Sequence, residues 1–345
     1  MFLKRRRIQA MGVLAFVIAL SSMLSVHSAR SALAGESAVS TSPGKNGLIA
    51  LTGYLDSDRE TGAIFVVRPD GTGLRQITKP ESGVVDGDAD WSPDGSLIVF
   101  HRGESPVAIY TVRPDGTGLT RISPKCNYSG PDAVEVHCED GESASFLPDG
   151  KRIAYTRVVA DAEKTTDRSD PVLDKRFAVR NVDGSGLRIL SPTKGEPDCY
   201  QQQFAPDGSR FVHVCERAGL HAVFVRGTGG RSKRLTPWSL DAGDGPDWSP
   251  DGRLIMFRSY LADGKQSQIN LVRPNGTGLK PLTRFKKGTI VLSSSFSPDG
   301  KRITFATSGV GGQADVFTMR LNGTDVRPVT RTARWDSQPD WGRQG

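Results

Sequence analysis

Carboxylates gather just ahead of a recurring aromatic residue. They are Asp86, Asp88 and Asp90 before Trp91; Glu139, Asp140 and Glu142 before Phe146; and Glu196 and Asp198 before Phe204. Asp241, Asp244 and Asp247 precede Trp248, and Asp336 and Asp340 precede Trp341. Two chemistries call for such groups. A carboxylate pair a few ångströms apart can cleave a glycosidic bond, and a ring of oxygen ligands can hold a divalent cation such as Ca2+. A plainer use is local, because aspartate side chains bond the backbone of tight connections. Nothing in the spacing singles out a catalytic pair. The candidate binding residues are Asp86, Asp88, Glu142, Asp198, Asp244 and Asp336, with Trp238 and Trp335 as aromatic surfaces nearby.

Other chemistry finds little support. A serine hydrolase of the elbow type needs G-x-S-x-G leading into a helix. The nearest string, Gly141-Glu-Ser143-Ala-Ser145, fails at its last position and precedes strand-like sequence. His101, His137, His213 and His221 show no metal-ligand spacing. The Gly-Thr-Gly strings sit in hairpin turns and not at a helix start, so they do not cradle phosphate. Cys126, Cys138, Cys199 and Cys215 form an even set without a C-x-x-C pair, which favours disulfides over zinc. Cys199 and Cys215 are symmetric about Asp207 at a hairpin corner, which pairs them across two strands and leaves Cys126 with Cys138.

What must position these residues is a repeat. Trp91-Ser-Pro-Asp-Gly95 recurs at Phe146–Gly150, Phe204–Gly208, Trp248–Gly252 and Phe296–Gly300, each followed by a short apolar run such as Leu97-Ile-Val-Phe100. A second phrase, Pro69-Asp-Gly-Thr-Gly73, interleaves and returns at Pro114–Gly118, Asp183–Gly186, Gly227–Gly230, Pro274–Gly278 and Asn322–Thr324. Asp-Gly and Asn-Gly provide the positive φ angles of tight hairpins. Each period therefore reads as four strands, a to d, with the first phrase joining a to b and the second joining c to d. A lone sheet of this kind cannot bury its faces, so the copies pack around an axis. The sixth copy is split: Asp340-Trp341 supplies strand a to the blade begun at Leu48. The expected fold is all-β, a six-bladed β-propeller of four-stranded antiparallel blades whose terminal strands share one blade, over residues 44–342.

The aromatic-Ser-Pro-Asp-Gly phrase, the apolar run after it and the Asp-Gly-Thr-Gly turn together resemble the WD-like repeat of TolB-type propellers. The resemblance covers nearly all of residues 44–342 and implies the same fold. In that family an N-terminal α/β domain precedes the propeller. This sequence leaves no room for one between leader and first blade, so the family's partnership with a peptidoglycan-associated lipoprotein is not carried over.

The intervals from Trp91 to Phe146 and from Phe146 to Phe204 are longer than the others. Their extra sequence, about 123–145 and 158–176, falls in a d–a and a b–c connection, which share one face of an up-and-down ring. Loops gathered on one face of a rigid scaffold are where binding concentrates.

Residues 1–34 read as a secretory leader: Lys4, Arg5, Arg6 and Arg7, an apolar run from Met11 to Leu24, and Ala32-Leu33-Ala34 as a cleavage site. Residues 35–43 read as a linker and 343–345 as a tail. The leader holds five basic residues and no acid, so its removal lowers the formal charge of +7 to about +2 and takes away the case for nucleic acid. The expectation is an exported, periplasmic or extracellular monomer that binds and does not catalyse. Its partner would be an envelope or extracellular protein, or a small ligand, on the loop-rich face. No cofactor is expected unless the acidic ring takes Ca2+, and no membrane contact unless the leader is retained. A carbohydrate-active hydrolase or lyase using a carboxylate pair at the channel mouth is the alternative.

Overall fold

The computed structural model describes residues 42–103, 107–124, 140–160, 173–190, 198–227, 230–261, 266–309 and 313–345. Within them, 24 strands form six four-stranded antiparallel sheets. Blade A comprises β24 (Asp336–Arg343), β1 (Asn46–Tyr54), β2 (Gly62–Val67) and β3 (Arg75–Gln76). Blade B holds β4 (Asp86–Trp91), β5 (Ile98–Arg102), β6 (Ala108–Val112) and β7 (Thr120–Arg121). Blade C holds β8 (Asp140–Phe146), β9 (Arg152–Ala160), β10 (Leu173–Asn181) and β11 (Arg188–Ile189).

Blade D is β12 (Asp198–Phe204), β13 (Arg210–Arg217), β14 (Leu220–Gly227) and β15 (Lys233–Arg234). Blade E is β16 (Asp247–Trp248), β17 (Ile255–Tyr260), β18 (Ser267–Val272) and β19 (Lys280–Pro281). Blade F is β20 (Ile290–Phe296), β21 (Arg302–Ser308), β22 (Ala314–Arg320) and β23 (Arg327–Pro328). Ile49 pairs with Trp341, so the two ends of the described chain close the ring in one sheet, as the split repeat requires.

Alternation along each strand explains why the sheets pack radially. Ile49 and Leu51 turn toward blade F and Ala50 toward blade B. The result is six apolar clusters, one in each gap between neighbouring blades. The repeated aromatics wedge there: Trp91, Trp248 and Trp341 are almost wholly buried. Gly342 follows the last of them because the Trp91 ring occupies the space a Cβ would need.

The a–b and c–d hairpins lie on one face, called here the turn face, and the b–c and d–a connections lie on the other. Asp94 shows the a–b turn chemistry, accepting from Ser92 Oγ at 2.7 Å and the Ser96 amide at 3.0 Å beside Gly95 at φ 75°. The insertions in blade C are shorter than the sequence spacing suggests, because strands run into them. β8 begins at Asp140, and β9 and β10 stay paired out to Ala160 and Leu173. Cys199 and Cys215 lie opposite each other on β12 and β13 and are disulfide-bonded. Cys126 and Cys138 fall outside the described residues. Among the described residues no helix is long and apolar enough to cross a membrane.

Candidate functional site at the loop-side mouth of the ring

The innermost strand of nearly every blade carries a bulge three residues before its aromatic wedge. Asp88, Ser143, Gln201 and Gln338 hold the left-handed conformation there, as does Gly245 in blade E. Pairing with strand b slips at this point in blades A to D and in blade F. A bulge re-aims the side chains beside it, which draws the residues ahead of the wedge toward the mouth.

Blades A, B and C bring the richest cluster together. Asp86 is fully buried and takes a two-pronged hydrogen bond from Arg102, Nε to Oδ1 at 2.6 Å and Nη2 to Oδ2 at 2.8 Å. Asp88 lies 3.2 Å from His101 Nδ1 and accepts a hydrogen bond from Gln338 Nε2 of blade A. Burial works against charging His101, yet Asp88, Glu142 and Asp86 outweigh it and hold the imidazole pKa above its ordinary value. Glu142 is exposed, so blade C contributes a solvated carboxylate to the same corner.

Two other predicted acids, Asp244 and Asp336, are tied down separately. Asp244 is buried against Arg258 and accepts from Tyr260 Oη at 3.0 Å. Asp336 accepts from Thr332 Oγ1 at 2.8 Å with Arg334 Nε at 3.5 Å, and its burial raises the carboxyl pKa against those partners. Asp198 begins β12 opposite Glu216, with only its backbone described. Trp238 is half-buried in a short 3-10 turn beside Phe224 and Arg234. Trp335 is half-buried on the blade A–F cluster, with the Arg59 guanidinium 4.3 Å from its ring centre. The mouth is thus a set of local ion pairs, and its field is weaker than the acid count alone implies.

Three acids that the sequence grouped with this ring do something else. Asp90, Asp247 and Asp340 are fully buried, and each accepts the backbone N–H of the aromatic wedge in the following blade: Phe146 at 2.8 Å, Phe296 at 2.7 Å and Trp91 at 2.9 Å. A signal for this clasp was present, since every tryptophan wedge follows an aspartate while the phenylalanine wedges follow Ser145, Gln203 and Ser295. The partners Arg102, Arg258 and Gln338 carried no comparable signal. Nor did the His221–Asp241 pair, closed at 2.8 Å between the start of β14 and the d–a loop of blade D.

No protein-family model matches the chain. A 96-residue stretch is 31% identical to the Tol-Pal system protein TolB of Anaeromyxobacter sp. strain K, covering 28% of this chain and 21% of that protein. The match thus spans about a fifth of the relative's length. The crystal structure of TolB from Acinetobacter baumannii superposes with a TM-score of 0.66 at 19% identity, over 86% of this chain and 67% of that one. An oligogalacturonate lyase in complex with manganese has a similar fold, with a TM-score of 0.54 at 12% identity over 85% of this chain and 77% of the other. At such identities the structural likenesses speak to fold alone. With repeat, ring closure and both kinds of likeness in agreement, the chain is a TolB-like six-bladed β-propeller.

Proposed function

We propose that the protein is an exported binding module of the cell envelope that holds a protein partner on its loop-side face and catalyses no reaction. The observation that carries this reading is apolar surface on that face. Leu55 and Leu261 on b–c connections and Leu220 at the start of β14 are each more than two-fifths exposed, with half-buried Trp238 and Trp335 on the neighbouring d–a connections. Aliphatic and aromatic surface around a rim of paired charges suits a protein segment better than a small polar substrate. The likeness to TolB, a protein named for the Tol-Pal system, supports an envelope setting. The Cys199–Cys215 disulfide suits an oxidising compartment.

The test is photo-crosslinking from Leu55 and Leu220 in envelope preparations, followed by binding measurements with the captured protein. Saturable binding that weakens at least tenfold in Leu220→Asp or Trp335→Ala supports the reading. Capture that is equal from the turn face, or binding indifferent to both substitutions, removes it.

A second reading rests on the Asp88, His101 and Glu142 corner, where a solvated carboxylate lies close to a titratable base. It would serve a divalent cation such as Ca2+, or carboxylate chemistry on an acidic or neutral polysaccharide. Thermal stabilisation by millimolar Ca2+ that is lost in Glu142→Gln, or polysaccharide turnover abolished by Asp88→Asn, would favour it over the first.

A further inference from the structure

The turn face has a pattern the loop-side reading does not use. In each c–d hairpin the residue after the turn is aliphatic and a cation lies within two residues of it, blade D excepted. Leu119, Leu187, Leu279 and Val326 are 37–51% exposed at this position. Exposed Arg75, Arg188, Lys280 and Arg327 lie beside the position in blades A, C, E and F. Blade D replaces the leucine with Arg231-Ser232-Lys233-Arg234. Equivalent positions of a closed ring lie near one plane, so these points form a flat annulus of cationic side chains with exposed aliphatics in blades B, C, E and F.

Acids on this face are the turn aspartates: Asp94, Asp149, Asp207, Asp251 and Asp299 in the a–b hairpins, and Asp70, Asp115, Asp183 and Asp325 in the c–d hairpins. Asp70, Asp115 and Asp183 accept from the amide two residues on, at 2.8–2.9 Å. Blades E and F carry Asn275 and Asn322 at the same turn position. In blade F three arginines, Arg302, Arg320 and Arg327, share the single carboxylate of Asp325. The described chain also enters the ring here: the Gly44 amide donates to Pro298 O in an a–b turn, at 3.0 Å. The acids of the mouth lie on the opposite face, where Asp86, Asp88, Asp244 and Asp336 are paired with local cations.

We infer that the turn face lies flat on an anionic lipid surface, with the annular cations meeting headgroup phosphates and the aliphatic residues reaching the acyl boundary, so that the loop-side mouth points away from the membrane. A lone ring of cations would suit any polyanion, or would simply guard the exposed outer strands against edge-to-edge pairing. The exposed aliphatics beside the cations of blades B, C, E and F are what select lipid, because polar polymers give them nothing to enter. Each cation at such a surface strengthens binding on the order of fivefold, and reversing three weakens it on the order of a hundredfold or more.

The full chain is tested with an environment-sensitive fluorophore placed by Thr277→Cys in the blade E turn, or by Ser57→Cys on the loop-side face. Vesicles are phosphatidylcholine alone or with a third phosphatidylglycerol. The expected result is a blue shift at position 277 only, requiring phosphatidylglycerol and fading with salt. The shift should be lost in the Arg75→Glu/Lys233→Glu/Lys280→Glu variant and weakened in Leu279→Ser/Val326→Ser. A shift at position 57 instead, or one that survives charge reversal, overturns the proposal. So does binding to dextran sulfate with no response to vesicles, or a charge-reversed variant that only aggregates while the double aliphatic variant binds normally. Because the readout is face-specific, its failure leaves the loop-side partner reading standing, and the reverse also holds.

Discussion

Asp340, on the last strand, accepts the backbone N–H of Trp91 at 2.9 Å, although the two residues belong to different blades and are 249 positions apart in the chain. The same carboxylate accepts from Ser295 Oγ at 2.7 Å. One side chain therefore links blades F, A and B at the point where the ring closes. Its burial pushes the carboxyl pKa up to about 7.

Asp340→Asn should flatten the pH dependence of stability. The folded value is raised above the unfolded one, so the native state holds its proton longer than the unfolded chain does. Stability therefore falls as pH rises from about 4 toward 7. Thermal melts of the wild type between pH 4.5 and 8 should show this decline, and the asparagine variant should lose part of it. Asp340→Ala strips two donors of their acceptor and should cost about 1–3 kcal/mol.

Removing the disulfide should weaken the fold without dismantling it. The bond joins residues 16 apart within one sheet, and a closed loop of that size contributes about 3 kcal/mol. Cys199→Ser/Cys215→Ser should lower the unfolding free energy in guanidinium by that order while leaving the far-ultraviolet circular dichroism unchanged. A loss below about 1 kcal/mol would mean that the β12–β13 pairing holds these strands unaided.

Asp244 and Arg258 should behave as a unit. Arg258 also donates from Nη1 to the carbonyls of Val291 and Leu292 in blade F, at 2.6 and 3.0 Å. Either Asp244→Ala or Arg258→Met leaves a buried charge without its partner and should cost about 3–5 kcal/mol. The double variant should cost clearly less than the two single losses together. A double-mutant cycle in urea measures this.

His101 should titrate above the usual histidine range. Because its folded pKa is raised, the Asp88 pairing stabilises the protein below the unfolded value near 6.5 and is lost as pH climbs through the folded value. Nuclear magnetic resonance of the imidazole should show the raised inflection, and Asp88→Asn should bring it down. His213, buried among Phe177, Phe211 and Phe224, is the opposite case. Burial and then Arg226 lower its pKa to about 3, so it should remain neutral throughout the same titration. Unfolding frees it to take up a proton, so it makes the fold less stable as pH drops from about 6.5 toward 3.

The sequence by itself determined the ring. Asp-Gly turns, alternating apolar runs and a repeat split between the ends are local facts, and sheets with two oily faces have few ways to pack. The Ile49–Trp341 pairing and the Cys199–Cys215 bond followed from counting along the chain. What each carboxylate does was decided only in three dimensions. Asp90 and Asp340 look like Asp88 in one dimension, yet the first two clasp a neighbouring backbone and the third faces a histidine. A charge takes its role from the groups around it, and His101, Arg258 and Gln338 reach the acids through strand pairing, blade order and bulges that no short stretch of sequence encodes.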